Sequence, residues 1–358
     1  MARIGLIFGG RSVEHQVSVT SARTVAGALV EAGHEVVPLG IAPDGGWVDS
    51  RTAEVVLATG EASLESTGAT PSATLSHLLG SGAEVLFPIV HGTWGEDGTL
   101  QGLCEMLDLP YVGTGVTSSA LAMDKGFCKR VLQAEGLPVV DWETVTRAAF
   151  ERDPDGEVAR LRRFEPPIFV KPSVGGSSVG ISKVPSHHCL ETAVREALRF
   201  DDRLVVERGV RGRELECAVL GYREIEASAI GEIVPGREFY DYADKYLDDT
   251  AGLIAPAELS DAVADRLREL AVAAFSAIGG WGMARVDFLL EDDETVYVNE
   301  INTLPGFTSI SMYPRLWDLS GVPLPELVDR LVRIALERHR DRRRLDQGIK
   351  DWIATLSL

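Results

Sequence analysis

The chain is organised around two stretches, MARVDFLL at residues 283–290 and TVYVNEINTLPGFTSISM at residues 295–312. Both alternate apolar and polar side chains, and the residues between them are polar and turn-prone, so the pattern predicts a β-hairpin. Because side chains change face at every residue of a strand, Arg285 and Asp287 share one face, as do Glu300 and Asn302. Two acids, an amide and a guanidinium therefore converge in an apolar hairpin.

Charges placed among apolar residues need a partner, because burying them uncompensated is costly. A hard divalent cation would serve, since two carboxylates and an amide oxygen suit Mg²⁺, which takes its other ligands from water and substrate phosphates. The candidate ligands are Asp287, Glu300 and Asn302. The hairpin alone leaves a second interpretation open, an internal salt bridge between Arg285 and a carboxylate at a polar edge.

Length and composition indicate a globular intracellular protein. A chain of 358 residues with 45% hydrophobic and 25% charged residues predicts two or three domains. The sequence has no apolar run long enough to span a membrane and no signal-peptide layout, so we expect a cytoplasmic protein. The four cysteines lack CxxC spacing, which argues against a zinc cluster or a disulfide framework. A formal charge of −19 disfavours nucleic acid as a partner.

The N-terminal segment reads as a strand, ARIGLIFGG, followed by a helix, a layout that opens a parallel α/β unit. Its glycines do not fit GxGxxG, so the main sequence argument for a dinucleotide-binding oxidoreductase is missing. Two further strands are predicted in HEVVPLGIAP and AEVLFPIVHG. His91 follows the latter in a Gly-rich loop, where ligands of open α/β sheets gather, although a packed histidine is the alternative. Glu14, near the helix start, either complements the helix dipole or binds a ligand.

The middle of the chain contains a predicted helix over residues 118–134, which includes Lys125, and then the segment VKPSVGGSSVG at residues 170–180. Glycines let backbone N–H groups approach an anion closely. A P-loop needs Lys and then Ser or Thr after Gly180, but Ile181 and Ser182 stand there. We therefore predict a flap that closes over phosphates, with an ordinary flexible turn as the alternative.

The last third is predicted to contain a helix capped by Ser260 and ending at Ile278, which precedes the hairpin. A basic run from Arg338 to Arg344 is interpreted as a solvated helix end.

Taken together, eight segments in order resemble the D-alanine:D-alanine ligases of the ATP-grasp superfamily. They are GGRSVEHQVS, HGTWGEDGTLQG, MDKGFCK, VKPSVGGSSVG, VERGVRGRE, FYDYADKY, ARVDFLL and NEINTLPGFTSIS. The resemblance spans roughly residues 1–332 and implies a fold of mixed α/β and α+β class. The expected layout is an N-terminal open α/β (pre-ATP-grasp) domain over residues 1–112 and a two-domain ATP-grasp fold, with a flap subdomain over 113–206 and a metal and lid subdomain over 207–358.

The same resemblance implies a function and a set of site residues. The enzyme would use ATP to join two D-alanines through an acyl phosphate for peptidoglycan precursors, as a cytoplasmic homodimer without a membrane or nucleic-acid partner. The implied ATP contacts are Lys125, Lys171, Ser178, Glu207, Val210, Glu214 and Lys245, and the implied ligands of Mg²⁺ or Mn²⁺ are Asp287, Glu300 and Asn302.

The resemblance also implies how the two amino acids are bound. The first D-alanine is held by Glu14, with His91 near it and with Ser177 and Tyr246 as hydrogen-bonded partners. Arg285 and the Gly306 N–H are the implied oxyanion donors, and Ser311 and the Met312 backbone bind the second carboxylate.

Two departures and two alternatives accompany this resemblance. Arg208 and Gly209 stand where the family often has Lys and a bulkier residue, and the stretch after Arg338 has no counterpart. A D-alanine:D-lactate ligase is the nearest alternative, against which Tyr246 in DYADKY favours an amine acceptor. A nucleotide-binding protein without catalysis is the other, but it predicts gaps among the metal and oxyanion residues, and none is visible.

Overall fold

The computed structural model describes residues 1–60, 64, 76, 78–234 and 252–356, and in these residues the strands form three sheets. Within the same residues, no helix is both long and apolar enough to cross a membrane.

The first sheet is parallel and has the strand order β2-β1-β3. Parallel neighbours require crossover connections, and helices supply them on faces that bury the apolar strands. Ala22, Val25 and Leu29 belong to the buried stripe of the first helix. The elements are β1 (Arg3–Gly9), α1 (His15–Glu31), β2 (Glu35–Ile41), α2 (Ser50–Thr59), β3 (Val85–Pro88) and α3 (Thr99–Met106). The predicted strand, Gly turn and helix at the N-terminus are confirmed.

The helix predicted over residues 118–134 is two helices, α4 (Val116–Met123) and α5 (Lys125–Ala134). Asp124 separates them, because its backbone is extended and its carboxylate accepts the Phe127 N–H as an N-cap. The prediction of one helix is therefore wrong. Lys125 stands at the first position of α5 instead of in a helix interior.

The second sheet is antiparallel, in the order β4-β7-β5-β6. Its β5–β6 hairpin is closed by the Gly- and Ser-rich loop at residues 173–181, as the sequence predicts. Apolar side chains of this sheet pack against the helices that follow β4 and β6 and form one core with them. The elements are β4 (Trp142–Thr146), α6 (Arg147–Arg152), α7 (Pro154–Leu161), β5 (Ile168–Pro172), β6 (Ser182–Val184), α8 (Leu190–Ala197) and β7 (Arg203–Arg208).

The third sheet is antiparallel, in the order β10-β9-β8-β11-β12. Its elements are β8 (Gly212–Gly221), β9 (Ile225–Val234), β10 (Gly252–Ile254), α9 (Asp261–Ala277), β11 (Gly282–Glu291) and β12 (Thr295–Asn302). The predicted hairpin is confirmed, and its register sets Asp287 opposite Glu300. Ser260 caps α9 by accepting the Val263 N–H, also as predicted. The turn after β7 leads from the second sheet into the third, so it connects two sheets and does not close a hairpin.

Two C-terminal helices, α10 (Met312–Leu319) and α11 (Leu324–Thr355), complete the fold. Their side chains Tyr313, Trp317 and Leu327 share one apolar core with Phe8 and Val25 of the N-terminal unit. α10 and the first turns of α11 are thereby packed against the N-terminal unit.

The interpretation of the basic run as a solvated helix end is wrong, because α11 continues to Thr355. Arg338 and Arg342 pair with Glu105 of α3, and Arg343 pairs with Asp108 just beyond it. The run therefore ties the long helix to the N-terminal unit.

Candidate active site

A cavity of about 450 Å³ lies where the start of α1, the flap loop at 173–181, the β11–β12 hairpin and the loop before α10 meet. Ten sequence-predicted residues line it: Glu14, His91, Lys125, Ser177, Arg285, Glu300, Asn302, Gly306, Ser311 and Met312. Lys245 and Tyr246 lie outside the described residues. The fold thus gathers side chains that are nearly three hundred positions apart in the chain.

Glu14 lies directly under the flap. Ser177 donates a hydrogen bond to its Oε1 at 2.5 Å. A Cβ added to Gly92 or to Gly176 would lie 2.6 or 2.9 Å from Glu14 Oε2, so only glycine permits both segments to approach the carboxylate. Ser177 and Ser178 adopt positive φ of 50° and 57°, conformations that non-glycine residues rarely adopt away from functional sites. The result is an acid held against the cavity, suited to an ammonium group.

His91 connects the N-terminal unit to the loop before α10. Its Nδ1 donates to the Leu304 carbonyl at 3.0 Å, and Ser21 Oγ lies 3.0 Å from Nε2. The Phe307 N–H donates in turn to Ser21 Oγ at 3.2 Å. Burial lowers the pKa of His91, which is 3% exposed, and the neutral ring fits this chain of donors and acceptors. Both ring nitrogens are engaged, so the histidine orients the loop that carries Gly306.

Glu96 is a cavity residue that the sequence reasoning missed. Its carboxylate accepts the Gly92 N–H at 2.5 Å. Burial, and then the charge of Glu14, raise its pKa well above the ordinary value. The only sequence signal was its position in HGTWGEDG, four residues after Gly92. A second, buried carboxyl group therefore lines the cavity, and the charge of Glu14 acts on it.

Arg285 is held by two acids of the hairpin sheet. Its Nε and Nη2 donate to the two oxygens of Asp287 at 2.7 Å each, and Glu216 lies 3.3 Å away. Although burial works against the charge, these carboxylates raise the pKa of Arg285 well above its ordinary value. The internal salt bridge that the sequence left open is therefore present. It fixes a permanent cation at the cavity wall.

The hairpin acids also fit a divalent cation, but they supply only part of its coordination. The part of the chain that the structure describes contains no group of three or more His, Cys, Asp or Glu residues able to enclose a metal. Asp287 and Glu300 are direct cross-strand partners, and Asn302 is paired with Arg285. A carboxylate has about four lone-pair directions, so Asp287 keeps capacity beyond its bonds to Arg285. Two carboxylates and an amide suit Mg²⁺ completed by water and phosphate.

Lys125 joins the flap to the hairpin. Its Nζ donates to the Gly175 carbonyl at 2.8 Å and lies 3.7 Å from Glu300 Oε2. The Lys125 N–H also donates to the Ser173 carbonyl at 2.8 Å, at the base of the flap. The break at Asp124 is what brings this lysine to both elements.

A second group of predicted residues lies away from the cavity lining. Lys171 Nζ donates to Glu207 Oε2 at 3.1 Å, and Glu207 is 2% exposed. Glu214 follows on β8, after a turn that contains Val210. Arg208 forms two bonds to Glu291, at 2.8 and 3.0 Å, so its guanidinium is committed to the hairpin.

Lys129 is the other residue that the sequence reasoning missed. It is 1% exposed, and its Nζ lies 3.3 Å from Glu207 Oε1. The available signal was its place in MDKGFCK, four residues after Lys125 and so on the same helix face.

An open α/β unit followed by two antiparallel sheets, with a Gly-rich flap on one and paired acids on the other, defines an ATP-grasp enzyme. Sequence models described as "D-ala D-ala ligase N-terminus" and "D-ala D-ala ligase C-terminus" match residues 3–114 and 131–333. The chain belongs to the D-alanine–D-alanine ligase family, which confirms the resemblance and the predicted fold class.

Individual relatives agree with this assignment. A D-alanine–D-alanine ligase of Mycolicibacterium smegmatis is 46% identical over 362 aligned positions, covering 94% of this chain and 96% of the relative. The solved D-alanine-D-alanine ligase of Coxiella burnetii has a TM-score of 0.83 at 37% identity, covering 99% of each chain. The VanG D-Ala:D-Ser ligase of Enterococcus faecalis has a TM-score of 0.79 at 30% identity, covering 93% of this chain and 99% of that one.

Proposed function

We propose that this chain joins two D-alanine molecules into D-alanyl-D-alanine at the expense of ATP, releasing ADP and phosphate. One observation carries the proposal: a single cavity contains an acid suited to an ammonium group, a fixed guanidinium and a helix N-terminus. These are the groups needed to hold two amino acids head to tail. Family membership supports the same conclusion.

In the first step, a carboxylate oxygen of the first D-alanine attacks the γ-phosphorus of ATP, and ADP leaves. Glu14, fixed by Ser177, holds the ammonium group of this D-alanine. Catalysis of phosphoryl transfer is mostly positioning and charge neutralisation, which Lys125 and Lys171 supply from the protein. Ser178, Glu207, Val210 and Glu214 are the proposed further contacts to the nucleotide, with Lys245 on the transferred phosphate.

In the second step, the free amine of the second D-alanine attacks the acyl carbon and the carbon–oxygen bond to phosphate breaks. Inorganic phosphate leaves and takes up the proton that the nitrogen loses. Arg285 and the Gly306 N–H stabilise the oxyanion; losing one such donor typically costs about 10²- to 10³-fold in rate. Ser311 stands at the N-cap position of α10 without a side-chain cap bond, and its Oγ accepts the Thr308 N–H. The first N–H groups of a helix have no acceptor within it, so Ser311 and the Met312 N–H suit the second carboxylate.

Asp287, Glu300 and Asn302 are the proposed ligands of Mg²⁺ or Mn²⁺, which would neutralise phosphate charge when bound. Water must be kept from the acyl phosphate, and the flap over Glu14 is the proposed barrier, with Tyr246 as a further partner. A cytoplasmic homodimer is part of the proposal and rests on the family resemblance.

Coupled ADP release tests the proposal. The purified chain is assayed with ATP and Mg²⁺ against D-alanine, D-alanine plus D-serine, D-alanine plus D-lactate, and L-alanine. We expect turnover with D-alanine alone and D-alanyl-D-alanine as the product by mass spectrometry. A mixed product formed in preference to D-alanyl-D-alanine at neutral pH would favour a D-serine or D-lactate ligase. ATP binding without turnover on any substrate would favour the non-catalytic alternative.

A further inference from the structure

A buried group of three charges lies between α5, β5 and β7. Glu207 is its centre, with Lys171 at 3.1 Å from one carboxylate oxygen and Lys129 at 3.3 Å from the other. The carboxylate thus has two cationic partners where one would balance its charge. Although burial opposes ionisation, Lys129 and then Lys171 lower the pKa of Glu207.

The two lysines differ in what else they can reach. Lys129 is fully buried within α5, and its Nζ makes no well-aligned hydrogen bond to any described residue, leaving Glu207 as its charge partner. Lys171 stands at the end of β5 beside the flap, and Glu300 and Glu214 also act on its charge. Lys171 can therefore exchange partners, whereas Lys129 cannot.

The proposed function requires such an exchange. Lys171 is a proposed phosphate ligand, but in the structure its ammonium group is bonded to Glu207, a proposed adenine contact. If Lys171 turns to the phosphates, Glu207 loses one cation in a site that excludes water. A buried carboxylate without a partner becomes protonated or displaced.

We propose that Lys129 is a positioning residue for the nucleotide: it is the fixed counter-ion that keeps Glu207 ionised and in place while Lys171 transfers to the phosphates of ATP. This inference rests on the proposed function. Lys129 touches neither substrate in this scheme and acts through Glu207.

Lys129→Met tests the inference, because methionine has a similar length and no charge. Removing the counter-ion makes Glu207 retain Lys171, which weakens binding of the triphosphate but not of a ligand without phosphates. We expect the Kd and KM for ATP to rise at least about tenfold, with the Kd for adenosine, the KM for D-alanine and kcat each within about threefold of wild type. Arg130→Met, an exposed cation on the same helix, is the matched control and should change none of these values.

A merely structural lysine gives a different pattern. The inference is overturned if Lys129→Met weakens the binding of ATP and of adenosine equally, or if it leaves the Kd for ATP unchanged. If Lys129→Met does not fold, Lys129→Met/Glu207→Gln is compared with Glu207→Gln, since a neutral residue 207 needs no counter-ion. Equal ATP affinity in these two variants supports the inference, and a further tenfold loss in the double variant overturns it. If the wild-type chain does not bind ATP, the proposed function itself is wrong. That outcome is distinguishable from a failure of the inference about Lys129, which is measured in the variants.

Discussion

Ser177 of the flap donates a hydrogen bond to Glu14 of the N-terminal unit at 2.5 Å. The bond joins the flap of the second sheet to the N-terminal unit, so it depends on closure of the flap as well as on the position of the acid. Glycines at 92 and 176 leave the room for it.

Ser177→Ala removes this bond and leaves the backbone intact. A hydrogen bond to a charged group contributes about 1.5–3 kcal/mol, which corresponds to about a 10- to 100-fold rise in the KM for the first D-alanine. Steady-state ADP release against D-alanine measures it. Ser186→Ala, on the far side of the β5–β6 hairpin, is the control and should leave KM unchanged. An unaltered KM in Ser177→Ala would argue against Glu14 as the ammonium site.

Gly176→Ala places a methyl group 2.9 Å from Glu14 Oε2 and forces the flap and the acid apart. We expect kcat/KM for D-alanine to fall about tenfold or more, with a small change in unfolding temperature. Gly27→Ala is the matched control, because a Cβ there meets nothing within 4 Å. Since residue 27 lies inside α1, that control should stabilise the protein by about 0.5–1 kcal/mol. Wild-type kinetics in Gly176→Ala would mean that the flap does not need this approach.

His91 predicts a dependence of stability on pH. Burial lowers its pKa in the folded chain below the ordinary 6.5, so the unfolded chain binds the proton first. Its contribution to the free energy of unfolding is therefore complete above about pH 6.5 and is lost as the pH falls through the folded pKa. Urea unfolding between pH 5 and 7 should show less acid destabilisation in His91→Asn than in wild type. The exposed His188→Asn should keep the wild-type slope, and an identical slope in all three would contradict the prediction.

Glu300→Gln removes one proposed metal charge and keeps the shape of the side chain. We expect ADP release from ATP and D-alanine to be abolished while thermal unfolding and circular dichroism stay close to wild type. Glu294→Gln, an exposed acid in the turn of the same hairpin, should retain activity. Unchanged ADP production in Glu300→Gln would count against the metal assignment.

Arg338→Ala tests whether the long C-terminal helix stabilises the fold. Arg338 pairs with Glu105 at 2.8 Å and stacks over Trp281 at 4.4 Å from the ring centroid. Losing a partly buried ion pair and a cation–π contact should lower the free energy of unfolding by about 1–3 kcal/mol in chemical denaturation. Arg340→Ala, an exposed neighbour, should lie within about 0.5 kcal/mol of wild type. Equal stability of the two variants would refute the role of this contact.

Local patterns were enough for much of the fold. Alternation predicts the β11–β12 hairpin, and the Ser260 cap predicts the start of α9, because both depend on neighbours a few residues apart. Local patterns were not enough at Asp124, where one helical pattern covers both α4 and α5 and the side-chain cap of Asp124 separates the two helices. Nor did they place the basic run, whose acidic partners Glu105 and Asp108 lie more than 200 positions earlier.

The sequence by itself determined the family, the strand faces and the segments that carry the site, since these follow from periodicity and from motifs read in order. Only the tertiary structure decided that Glu14 meets Ser177, that His91 holds the Gly306 loop, and that Lys171 and Lys129 share Glu207. The physical reason is that the effect of a charge depends on its burial and on which distant groups lie within a few ångströms of it. Those distances are set by the packing of whole sheets and helices, which no local pattern records.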